Sequence, residues 1–193
     1  MRLLIASDIH GSVESLSFLL DKARLMKPDR TVLLGDILYH GPRNPLPGNY
    51  GPKGMPDMFR ELMELCPLSA VRGNCDAEVD LFVLPFSMPE SLWLVDGKLE
   101  IFASHGNHLP EVPPMPAGFA RKTVFLRGHT HVPRAEEIDS YIFWNPGSIS
   151  LPKHGYERSY AVYEDGLFSV RSLNDKVLME YDARDLVQGL ERG

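Results

Sequence analysis

The sequence predicts an α/β fold in which two mixed β-sheets pack together and helices flank them. Three features predict it. Residues 1–72 alternate short apolar runs with helical patterns. The second half carries apolar runs joined by Asp-Gly turns instead. The chain has 193 residues, which suits one domain over 1–193 with a core large enough to need no staples.

Arg2 to Ser7 is apolar without alternation and reads as a buried strand. Ser12 is a candidate N-cap, and Val13, Leu16, Leu19, Leu20 and Ala23 then recur at helical spacing up to Pro28. Thr31 to Leu34 is a second buried strand. Tyr39 to Pro56 holds four further prolines and several glycines, so a loop is expected. Met58, Phe59, Leu62 and Leu65 mark a second helix with Pro56 at its start. Leu68 to Arg72 is a third strand. This β-α-β-α-β order is the pattern of a mostly parallel sheet.

Further on, Leu92 to Val95 and Leu99 to Ser104 flank Asp96-Gly97, which predicts a hairpin with a type I′ turn. A Pro-rich loop, Gly106 to Gly118, leads to strands at Thr123 to Leu126 and Tyr141 to Trp144. Tyr160 to Tyr163 and Leu167 to Ser172 follow, turning at Asp165-Gly166. The 182–193 tail is polar and reads as a short helix or a loose end.

The net charge of −6 argues against a nucleic-acid partner, which usually leaves a basic footprint. Two cysteines, Cys66 and Cys75, make no disulfide scaffold and favour a reducing compartment. The first apolar run is too short for a signal peptide, and no stretch suits a membrane span, so a cytoplasmic protein without a membrane partner is expected. No P-loop or dinucleotide fingerprint is present.

The polar residues of interest all follow strands: Asp8-x-His10, Gly35-Asp36, Gly73-Asn74, His105 and Gly128-His129-x-His131. Carboxyl ends of strands are where open α/β sheets bind ligands. Singly, each would be an ordinary cap or turn residue; together, in order, they make a metal site. Asp, His and Asn donors suit Mn, Fe, Zn, Co or Ni better than Ca. Seven ligands exceed the needs of one ion and fit two divalent cations sharing a carboxylate, about 3.5–4 Å apart. Mn is the expected metal, with Ni, Co, Fe and Zn as alternatives.

The order Asp-x-His, Gly-Asp, Gly-Asn, His, Gly-His-x-His resembles the calcineurin-like metallophosphoesterases, over Met1 to about Leu173. The resemblance extends to a small bacterial phosphodiesterase subgroup through Gly35 to Asn44, Arg72-Gly73-Asn74-Cys75-Asp76 and Asn145-Pro146-Gly147-Ser148. It implies an α/β/β/α sandwich, a small-molecule phosphodiester substrate and a dinuclear centre. Asp8, His10, Asp36 and His131 would hold one cation. Asp36, Asn74, His105 and His129 would hold the other, with Asp36 bridging. Asp36, Asn74, His105 and Cys75 would then be catalytic.

Many relatives carry a His, able to protonate the leaving group, where this chain has Cys75. The Arg that follows Gly-Asp in protein phosphatases is replaced by the Leu38-Tyr39 region, which weakens a protein-phosphatase reading. A monoesterase is a rival, as is an interaction scaffold of the retromer-subunit kind, although the ligand positions here are all filled. His40, His108, His154, Arg43 and Arg72 read first as surface or structural residues, and Asn145 to Ser148 as a tight turn. The Val112 to Phe119 segment raises a dimer or tetramer as an expectation.

Overall fold

A computed structural model describes residues 1–189. The first sheet holds six strands in the order β11-β10-β9-β1-β2-β3. These are β1 (Arg2–Ala6), β2 (Arg30–Leu33), β3 (Leu68–Ala70), β9 (Ser159–Glu164), β10 (Leu167–Ser172) and β11 (Val177–Asp182). The second sheet holds five in the order β4-β5-β6-β8-β7. Its strands are β4 (Ser91–Asp96), β5 (Leu99–Ser104), β6 (Val124–Leu126), β7 (Pro133–Ile138) and β8 (Tyr141–Pro146). Both sheets are mixed: β1, β2 and β3 run parallel, as do β5, β6 and β8, while the remaining pairs are antiparallel.

The unbroken apolar runs of the central strands follow from burial on both faces. Leu3, Ile5, Val32 and Leu34 join Ile101, Val124, Leu126 and Trp144 between the sheets. Leu4, Ala6 and Leu33 point the other way, onto Leu16, Leu19, Phe59 and Leu62 of the helices. Those helices are α1 (Val13–Met26) and α2 (Met55–Leu65). Ser12 caps α1 by accepting the Ser15 N–H at 3.2 Å, and Lys27 ends it with φ 48°. Two short helices, α3 (Asp80–Val83) and α4 (Arg184–Gln188), complete the elements. The outer face of the second sheet is covered by aromatic side chains and the following loop, with Phe119 against Phe102 and Phe125. Among the described residues no helix is long and apolar enough to cross a membrane.

Several expectations need correcting. The Tyr39 to Pro56 loop closes early, in a 3₁₀ turn over Pro52–Gly54, and α2 begins at Met55 with Pro56 inside its first turn. The first hairpin turns on Gly97-Lys98, since Asp96 still pairs with Leu99. Only Gly97 there has positive φ, 59°, which suits a II′ rather than a I′ turn. Asp165 (φ 46°) and Gly166 (φ 88°) are both positive, as type I′ requires. Strands β7 and β11 escape the sequence reading because both lie at sheet edges. Their charged, half-exposed sequences, PRAEEI and VLMEYD, suit an edge and hide the apolar signal. The 182–193 tail starts with the end of β11 and then α4, and residues 190–193 lie outside the described part.

Candidate metal centre

Both sheets contribute. Asp8 and His10 follow β1, Asp36 follows β2 and Asn74 follows β3, while His105 follows β5 and His129 and His131 follow β6. The backbone turns sharply at these points. Asp8 (φ 55°), His10 (51°), Asp36 (54°), His129 (66°) and His131 (60°) all occupy the left-handed region. Each such residue costs about 1–3 kcal/mol and persists only where its surroundings hold it. That five of the seven candidates share it marks a built site. The adjoining glycines make room: a Cβ on Gly73 would lie 2.2 Å from Asp36 Oδ1, and one on Gly128 1.8 Å from Ser7 Oγ.

The histidines are oriented by backbone carbonyls. His10 Nδ1 lies 2.8 Å from the Tyr39 carbonyl, His105 Nδ1 2.6 Å from Leu34 and His131 Nδ1 2.5 Å from Leu151. A carbonyl only accepts, so each Nδ1 carries the proton and each neutral ring turns the Nε2 lone pair inward, as in metal sites. His131 Nε2 is 3.2 Å from Asp8 Oδ1 and 3.3 Å from His10 Nε2. His105 Nε2 is 3.1 Å from Asn74 Oδ1 and 3.5 Å from Asp36 Oδ1. His10 Nε2 stands 3.7 Å from both Asp8 and Asp36 carboxylates. Imidazole nitrogens and carboxylate oxygens thus crowd one buried point, and the fully buried Asp8 Oδ1 meets no standard hydrogen-bond geometry, its nearest neighbour being His131 Nε2. Ligand atoms of Asp8, His10 and His131, and those of Asp8, Asp36 and His105, lie within 4.8 Å of one another, so the residues fit the divalent metal that their chemistry implies.

The remaining candidates sit at the margin. His129 packs its ring edge-on to His105, with centroids 5.1 Å apart, and its N–H donates to Asp8 Oδ2 at 3.1 Å. Cys75 Sγ falls within 4.8 Å of ligand atoms of His10 and Asp36, and the Cys75 N–H donates to Asp36 Oδ1 at 2.8 Å. Burial, and then the Asp36 charge, push this thiol up to about 12. Both causes disfavour a thiolate nucleophile at this position. Burial raises the Asp8 carboxyl, but the surrounding imidazoles, His131 first, outweigh it and hold Asp8 below its ordinary value. Burial lowers His10 and His129. It opposes protonation of His131 too, but there the Asp8 carboxylate wins and the value is raised.

A cavity of about 1340 Å³ opens over this cluster, lined in part by Asp36, Asn74, Cys75, His129 and His131. Arg43 and His154 also line it, whereas His40 packs between Tyr39 and Tyr50 and His108 lies away from the lining. Arg72 is structural: its guanidinium donates to the Asp76 carbonyl at 3.3 Å. Sequence reasoning underrated the residues that hold the ligand loops. Asp76 accepts the N–H groups of Asp36 (2.9 Å), Ile37 (2.7 Å) and Gly73 (2.7 Å). Ser148 and Ser150 donate to the Asp8 carbonyl at 2.9 and 2.7 Å. Asn145 donates to the Gly128 carbonyl at 2.9 Å. Their signal was present as Asp76 in Arg72-Gly73-Asn74-Cys75-Asp76 and as Asn145-Pro146-Gly147-Ser148, which spans the end of β8.

Oxygen and imidazole donors gathered at the strand ends of an α/β sandwich suit one class of protein, the metal-assisted hydrolases. The sequence profile described as "Calcineurin-like phosphoesterase superfamily domain" matches residues 1–165, and the chain belongs to that family. It is 39% identical over 181 residues to Phosphodiesterase YfcE of Escherichia coli K12, covering 93% of this chain and 96% of the relative. It is 27% identical to Probable metallophosphoesterase YsnB of Bacillus subtilis, covering 84% of this chain and 83% of the relative. The solved structure of YfcE, a phosphoesterase from E. coli, superimposes with a TM-score of 0.87 at 35% identity, covering 95% of this chain and 100% of that one. Vps29 of Entamoeba histolytica complexed with zinc shares the fold, with a TM-score of 0.61 at 17% identity, covering 94% and 99%.

Proposed function

We propose that this chain is a single-domain, cytoplasmic phosphodiesterase acting on small molecules at a centre of two divalent cations. The observation that carries the reading is the buried Asp8 Oδ1, in no standard hydrogen bond and ringed by inward-facing imidazole nitrogens. The likeness to YfcE supports the diesterase class. The two free cysteines suit a reducing compartment.

Asp8, His10 and His131 would hold one cation, Asn74, His105 and His129 the other, and Asp36 both. Mn is the expected metal, with Ni, Co, Fe and Zn as alternatives. When bound, the cations supply charge that makes a water nucleophilic near neutral pH and stabilises the transferring phosphoryl group. The chain's own part is orientation. The carbonyls of Tyr39, Leu34 and Leu151 fix three imidazoles, and the Cys75 N–H fixes Asp36. Asp36, Asn74, His129 and His131 line the cavity, and of these Asn74 and His129 are the more exposed to an approaching substrate.

Cys75 sets the leaving-group preference. A positioned acid is worth about 10²–10⁴-fold for a poor leaving group, and a thiol held near 12 is a weak acid for that role. Aryl phosphodiesters should therefore be cleaved well and alkyl monoesters such as sugar phosphates poorly, while Cys75→His should raise activity on poor leaving groups. The test has two parts: metal analysis after Mn²⁺ reconstitution, expected to approach two equivalents, and kcat/KM on aryl diesters against alkyl monoesters. Metal content near zero in folded protein would sink the reading and favour a scaffold; higher kcat/KM on alkyl monoesters would make it a monoesterase. We also infer a homo-oligomer, dimer or tetramer, since Trp93 and Val95 of edge strand β4 and Val112 are exposed. A clean monomer mass by light scattering at high concentration would remove that inference.

A further inference from the structure

Two loops frame the cavity over the metal cluster, and each presents an aromatic ring and a cation to it. The loop after β2 contributes Tyr39 and Arg43, and the loop after β8 contributes Lys153 and Tyr156. The rings are partly open to solvent, Tyr39 at 41% and Tyr156 at 38%. The second loop is tied to the centre itself. The Leu151 carbonyl accepts from His131 Nδ1, and the Lys153 N–H donates to the His131 carbonyl at 3.3 Å.

The cations on this cavity divide into two kinds. Arg127 gives its guanidinium to the Pro110 and Glu111 carbonyls at 2.6 and 2.5 Å, and Arg134 pairs with Glu136 at 2.5 Å. These two are occupied in fastening the neighbouring loop and strand. Arg43 and Lys153 have no acceptor among the described residues. Glu111 and Glu136 also line the cavity, on the side of Arg127 and Arg134.

A phosphodiester carries one negative charge, and the metal centre is built to take it. Two further free cations on the same cavity have charge left for another anion, and Tyr39 and Tyr156 on the same lining can meet a planar group. We propose that Arg43 and Lys153 form an anion subsite beside the metal centre. The favoured substrate is then a phosphodiester that also carries a second phosphate and an aromatic ring, as a phosphorylated nucleotide does. This deepens the phosphodiesterase reading and rests on it for the reaction, though not for the binding. Phosphate matches the subsite because its oxygens can serve the Arg43 fork and the Lys153 ammonium together.

The test compares two chromogenic esters that differ only in the extra anion: thymidine 5′-(4-nitrophenyl phosphate) and the same ester bearing a 3′-phosphate. With Mn²⁺-loaded protein the 3′-phosphate should raise kcat/KM roughly five- to tenfold, the scale of two exposed ion pairs, and should act through KM. The gain should shrink with added salt and fall to a ratio near one in the Arg43→Ala/Lys153→Ala double variant. Calorimetric binding of thymidine 3′,5′-bisphosphate against thymidine 5′-phosphate gives the same comparison without turnover. Equal kcat/KM and equal binding for the two members of each pair would overturn the subsite while leaving the phosphodiesterase reading intact. A gain that survives in the double variant would overturn it too. A binding preference lost in the double variant, with neither ester hydrolysed, would support the subsite and remove the phosphodiesterase reading instead.

Discussion

Asp8, His10 and His131 lie wholly inside the sandwich, each 2% exposed or less, whereas Asn74 is exposed and His129 half-buried at the cavity wall. The inner half is the more constrained. All three of its residues have left-handed backbone, and both imidazoles are held at Nδ1 by carbonyls. In the outer half only His105 is held in this way. The difference teaches how one site can both keep metal and admit substrate. In the proposed centre, burial and fixed rings would make the inner half a preorganised cage, while Asn74 and His129 of the outer half would stay where an ester can approach. Asp36, 2% exposed, would join the two.

The largest effect should come from removing that join. Asp36→Asn is expected to lower kcat/KM at least ~100-fold, the scale of deleting one preorganised electrostatic group, and to leave less metal than either half alone would hold. Turnover at the wild-type level would show that the halves work independently. A smaller effect should separate the halves themselves. His10→Ala should cost one equivalent of metal. His129→Ala should keep both at saturating Mn²⁺ but weaken the second by roughly tenfold or more, and metal titration followed by calorimetry would read the two steps. If His129→Ala loses metal as completely as His10→Ala, the contrast between cage and wall is wrong.

The subtlest test uses pH. His131 is held above its ordinary value by Asp8, so in metal-free protein its contribution to stability is present below about pH 6.5 and lost as pH rises through the raised value. His10 and His129, held low by burial, act in the opposite sense, so only a variant isolates the effect. His131→Gln should destabilise the metal-free protein more at pH 6 than at pH 8. With Mn²⁺ present the order should reverse, because metal and proton compete for the same nitrogen. Melting temperatures at both pH values, with and without metal, check it; the same order in both states would place His131 outside the metal centre.

The layered fold and the candidate ligand set were both legible in the sequence by itself. Apolar runs buried on both faces have a period that needs no partner to be read, and Asp8, His10, Asp36 and His131 directly follow such runs. The tertiary structure decided what those residues become. Edge strands β7 and β11 are set by neighbours rather than by apolar pattern. The orientation of His10, His105 and His131 depends on carbonyls of Tyr39, Leu34 and Leu151, and a carbonyl is the same group whatever side chain stands beside it. Asp8 and His131 meet across 123 residues of chain, counting 131 − 8. Whether Lys153 is a surface lysine or a free cation over a metal centre depends on the loop that ties it to His131. Sequence records which groups are available; burial and hydrogen bonding decide which of them are left with something to bind.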